Sequence, residues 1–305
     1  MRSYETLVAV GVVLVVAVGP LIVGVIGRTA SRASSPIVEP GRRWDWKLSI
    51  ASALLYALAF NLVFITQELF LVLPKALTPG LRPTLFHNNH TWTGENSLEN
   101  LFQGTGALAT CLLGLVCMLL LRLHPPRSSA WRLFLIWMIY NGFLQALPQV
   151  VIGSVVPAND VGMAMGYLHL SVGAKTLAAL VALIAIPTVA LYLRRPILSL
   201  AGDPDDICSA RERSRFVFRV AMLPALAAIA LIIPFRVPRN WVEVVAVPVV
   251  VTLIGIIWIQ AGASAVGGVK AGGNVYPTSI AYAFSALLAL LLVFQLVLRP
   301  GIRFY

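Results

Sequence analysis

Leu48-Ser-Ile-Ala-Ser-Ala-Leu-Leu-Tyr-Ala-Leu-Ala-Phe-Asn61-Leu-Val-Phe-Ile-Thr-Gln67-Glu68-Leu-Phe-Leu-Val-Leu73 carries a single ionisable carboxylate, Glu68, in an otherwise apolar run. At about 1.5 Å of rise per residue, a helix of this length is long enough to cross a hydrocarbon core roughly 30 Å thick. The run is therefore read as a transmembrane helix. Similar apolar runs lie at 7–27, 105–123, 132–155, 165–193, 217–235, 241–260 and 279–298. The expectation is an all-α integral membrane protein, a polytopic bundle of about eight transmembrane helices, with a range of seven to nine.

Composition agrees. Hydrophobic residues make up 59% of the chain and charged residues 11%, where a soluble domain carries about a quarter charged. No polar stretch is long enough for a separate globular unit, so residues 1–305 read as one transmembrane domain. The first apolar run is longer than a signal-peptide core, and Arg28 rather than a small-residue cleavage site follows it, so it is kept as a helix. Cys111, Cys117 and Cys208 supply no disulfide or zinc framework.

The net charge of +11 sits in short segments between apolar runs. That pattern fixes topology and meets anionic lipid, and it argues against a nucleic-acid surface. Fifteen Lys and Arg fall in the connections 28–47, 122–132, 194–219 and 261–278, against seven at the opposite ends. The positive-inside rule puts the first set in the cytoplasm, with a cytoplasmic loop at 194–216. An exoplasmic loop then lies at 74–104, and both termini are exoplasmic. The Leu, Ala, Val and Arg-rich composition reads as a bacterial cytoplasmic membrane protein.

Few polar residues interrupt the spans, and each is costly in lipid unless it faces the bundle or a wet cavity. The second run carries Asn61 and Glu68 on one face, with Lys75 placed to pair with Glu68. The fourth carries Asn141, Gln145 and Gln149 at intervals of four, a polar stripe along one side. The fifth follows Asn159-Asp160 and carries His169, Ser171 and Lys175. The loop Phe86-His87-Asn-Asn-His90-Thr-Trp-Thr-Gly-Glu95 is expected to roof these groups. Glu68, Glu95, Asp160, His169 and Lys175 are the candidate catalytic residues.

His87 and His90 are candidate ligands for a divalent metal if their segment forms a helical turn, with Glu95 as third ligand or general base. Leu98 to Gly104 resembles a protease-cleavage tag, but it runs smoothly into the third helix and is read as native. Thr66-Gln67-Glu68-Leu-Phe-Leu71 resembles the His-Glu-x-x-His helix of site-2-type intramembrane zinc proteases, and Asn159-Asp160 resembles their distal aspartate. Gln67 and Leu71 stand where both histidines would be, so two zinc ligands are missing and the activity is not carried over.

Three functions follow as expectations. One is a membrane-embedded enzyme or metal-binding protein with an outward-facing polar and histidine site. Another is a small transporter or channel along the second, fourth and fifth helices. The third is a non-catalytic subunit bound to partner membrane proteins.

Overall fold

A computed structural model describes residues 3–32, 44–236, 241–272 and 279–305. Among the described residues, eight helices are long and apolar enough to cross a membrane. They are α1 (Ser3–Gly27), α2 (Trp46–Ala76), α3 (Glu99–Leu123) and α4 (Ser129–Val155), then α6 (Val172–Leu198), α7 (Ala210–Arg236), α8 (Val242–Gly262) and α9 (Ile280–Leu298). A short helix α5 (Asp160–Tyr167) lies between α4 and α6.

α2 is the axis of the bundle. Its most apolar window is 78% buried, against 6% for α1, and it packs on α3, α4, α7 and α9. Helices meet closely where glycines leave room: a Cβ on Gly142 of α4 would lie 2.7 Å from Gly114 Cα of α3. Removing side-chain bulk at a crossing lets two backbones gain dispersion contact, which drives association in lipid.

Among the described residues, four helices contain a one-turn π segment: Leu14–Val18, Phe218–Met222, Val242–Ala246 and Phe294–Leu298. A proline stands two residues beyond each, at Pro20, Pro224, Pro248 and Pro300. The proline ring collides with the carbonyl four residues back and offers it no N–H. In each case that carbonyl belongs to the middle residue of the π turn, where wider winding relieves the clash.

The expected fifth run, 165–193, divides. Asn159 caps α5 by accepting from Val161 N, and Ser171 caps α6 by accepting from Ala174 N. Between them His169 adopts φ +50°, and Leu170 N donates to Met165 O at 3.1 Å. This is a helix stop with a left-handed residue where glycine is usual. Local capping chemistry outweighs the continuous apolar pattern here.

The 74–104 connection is not an irregular loop. β1 (Arg82–Leu85) and β2 (His90–Thr93) form an antiparallel hairpin with Leu85 opposite His90. Phe86 N donates to Asn89 O at 2.8 Å across its turn. β3 (Ile302–Arg303) joins the other edge, giving the order β2-β1-β3. The C-terminal segment thus ties down the cap over one end of the bundle, and residues 86–90 form a β-turn rather than a turn of helix.

Candidate functional site

α2 buries a line of polar side chains along its length, and the neighbouring helices satisfy them. Ser49 and Ser52 donate to the carbonyls of Arg219 and Val220 on α7. Tyr56 shares a 2.7 Å hydrogen bond with Thr252 of α8. Asn61 returns its amide to Ala57 O at 2.8 Å. Nearer the cap, Gln149 Nε2 donates to Gln67 Oε1 at 2.8 Å, and Gln145 Nε2 donates to Phe60 O at 3.1 Å and lies near Asn141 Oδ1. The expected stripe on α4 is thus an interhelical seam that joins α4 to α2.

Charge gathers at the capped end of this seam. His90 Nδ1 lies 2.8 Å from Glu68 Oε2, and both side chains are only 6% exposed. Lys75 is wholly buried. Its Nζ lies 3.0 Å from Leu71 O, 3.2 Å from Gln103 Oε1 and 3.3 Å from His90 Nε2. An ammonium has three hydrogens, and these three acceptors take them if His90 is neutral with its proton on Nδ1. That tautomer also donates to the Glu68 carboxylate, while Gln103 Oε1, 3.2 Å from His90 Nε2, takes its proton from Lys75 and not from the imidazole. Lys75 meets Glu68 through the imidazole rather than as the direct pair expected from spacing.

The hairpin supplies the roof. Trp92 of β2 stacks on His90, with centroids 5.6 Å apart, and lies 4.4 Å beneath Lys75 Nζ. A cation over an indole face is attracted by the ring quadrupole, more strongly when desolvated. Trp92 Nε1 donates to Glu99 Oε2 at 3.3 Å. Glu99 and Gln103 both lie on the first turns of α3, in the stretch resembling a cleavage tag. With Gln103 only 3% exposed and bonded to Lys75, that stretch is an integral part of the site.

Asp160 opens α5 at the edge of the cluster. Burial pushes its carboxyl above the usual carboxylate value; His90 and Lys75 oppose that shift, while Glu68 and Glu243 add to it. On the other flank, Arg236 is 2% exposed and stacks 4.0 Å from the Phe64 ring. Its Nε donates to Glu243 O at 2.9 Å, and its own carbonyl accepts from Asn88 at 2.6 Å.

Of the candidate residues, Glu68 and His90 share a hydrogen bond, and Asp160 is within their electrostatic reach. His87 is buried in the hairpin turn, its ring 6.0 Å from Phe294. Glu95 and His169 are exposed and Lys175 is partly exposed; none takes part in the hydrogen bonds around His90. Among the described residues, no three His, Cys, Asp or Glu side chains converge to hold a metal ion. One nitrogen of His90 faces a carboxylate and the other a lysine ammonium, so a cation at this imidazole would have to displace one of them.

Sequence reading missed Gln103, Trp92, Arg236 and Glu243, and took Lys75 only as an ion-pair partner. Arg236 looked like one more topological charge at a helix end. The clue was its place directly after an apolar run, where a guanidinium must either reach water or find partners inside. The chain matches no protein-family profile, no curated protein and no solved structure.

Proposed function

We propose that this is a membrane-embedded enzyme whose site opens on the exoplasmic side, with Glu68, His90 and Lys75 acting as a carboxylate–imidazole–amine triad. One observation carries the reading: a buried imidazole held between a carboxylate at 2.8 Å and an amine at 3.3 Å. A nucleophile within reach of a base that a third group orients is the general layout of an activated nucleophile. The positive-inside count favours the exoplasmic placement.

The chemistry best suited to these groups is addition of an amine to a carbonyl. Lys75 passes a proton to His90 Nε2, and Glu68 stabilises the imidazolium. The free amine forms a C–N bond to the carbonyl carbon, and the imidazolium returns the proton to the oxygen. Loss of water from the carbinolamine gives an imine, which water later hydrolyses. Gln103 and Trp92 hold the lysine head in place.

Borohydride trapping tests this. Purified protein incubated with octanal and reduced should carry a stable alkyl adduct on Lys75 by peptide mass spectrometry, at a rate cut at least tenfold by His90→Ala. Adducts confined to Lys47, Lys175 or Lys270 would refute it.

The hydrogen-bonded seam along α2 favours a second reading, a small transporter. It requires the seam to open past Phe60, which is wholly buried. Gln149→Leu would then block flux in proteoliposomes while leaving Lys75 trapping intact.

A further inference from the structure

Arg236 and Glu243 hold two atoms that the protein itself leaves unmatched. The guanidinium directs Nε at the main-chain carbonyl of Glu243, not at its carboxylate. Arg236 Nη2 and Glu243 Oε2 are both buried and have no hydrogen-bond partner. A buried donor and a buried acceptor, one on a cation and one on an anion, are costly to leave open. The hydrogen bond between the two residues keeps both groups within one small region at the start of α8.

Trp241, Val242 and Val245 beside Glu243 are exposed, as expected for a lipid-facing helix end with an interfacial tryptophan. Phe64 forms the floor beneath the guanidinium.

We propose that Arg236 and Glu243 form a binding site for a zwitterion that carries a primary ammonium and, a few bonds away, a phosphate or carboxylate. The anionic oxygen accepts from Arg236 Nη2, and an ammonium N–H donates to Glu243 Oε2. A neutral zwitterion satisfies both open atoms without adding net charge to a region that already holds Glu68, Asp160 and Lys75. A quaternary ammonium has no N–H and cannot complete the second bond. The inference requires no reaction at His90.

The test uses the full chain in detergent, with dissociation constants read from ligand-dependent melting temperature. Dihexanoyl phosphatidylethanolamine should bind saturably and at least tenfold more tightly than dihexanoyl phosphatidylcholine. Glu243→Gln and Arg236→Lys should each weaken it at least tenfold, whereas His90→Ala should leave it unchanged. If Arg236→Lys does not fold, Glu243→Gln alone decides. Free phosphoethanolamine is the second arm: competition by it assigns the site to a soluble zwitterion as well, and its failure assigns it to lipid. Equal binding of the two lipids, binding unaffected by Glu243→Gln, or no binding of either probe class would overturn the proposal.

Discussion

His90 Nδ1 sits 2.8 Å from Glu68 Oε2 although the two residues belong to different structural units, a hairpin strand and the central helix. The contact fastens the cap to the bundle as well as orienting the imidazole. Removing one partner strands a buried charge or a buried polar ring, a loss of about 3–5 kcal/mol for such pairs. Glu68→Ala and His90→Ala should each lower unfolding stability on that scale in detergent titrations. The double variant should cost far less than the sum of the two.

Lys75→Met keeps the length of the side chain but leaves Gln103 Oε1 and His90 Nε2 without the ammonium that donates to them. Each buried acceptor left open costs about 1–3 kcal/mol. The variant should be markedly less stable than Gln103→Ala, which removes one acceptor from an ammonium that keeps two. Thermal unfolding of the two proteins side by side gives the order.

Asp160 gives a pH signature. Its folded carboxyl holds a proton more tightly than a free aspartate. Its contribution to stability is therefore fully present below the ordinary carboxylate range and is lost as pH rises through the raised value. Melting temperature should fall over that window in the parent, and Asp160→Asn should flatten the profile. A parent profile that rises through the same window would contradict the sign.

His169 is the stop residue of α5, with its backbone in the left-handed region. A left-handed non-glycine residue costs roughly 1–2 kcal/mol, so His169→Gly should raise the melting temperature slightly and leave Lys75 trapping unaffected. Loss of trapping would give His169 a chemical role after all.

These residues also show what the sequence could reveal. Helix number was legible because a span needs about 20 apolar residues, and Glu68 because a carboxylate interrupts one; the central place of α2 was not. The division at 168–171 was not, since an apolar pattern carries no mark of a left-handed turn until the caps at Asn159 and Ser171 are recognised. The cap itself hid for another reason: strands of four residues and of two leave little periodicity to read. Glu68 and His90 stood out as ionisable groups near one end, whereas Gln103 and Trp92 acquire meaning only when β2 and α3 are folded over Lys75.

The most direct measurement of the central claim is the rate of octanal trapping at Lys75 in the parent, Glu68→Gln, His90→Ala and the double variant. A triad working as a unit predicts that each single change slows trapping at least tenfold and that the double variant is no slower than the worse single one. Equal rates in all four folded proteins would mean that the imidazole and carboxylate do nothing for the amine, and would leave the cluster as a structural clasp.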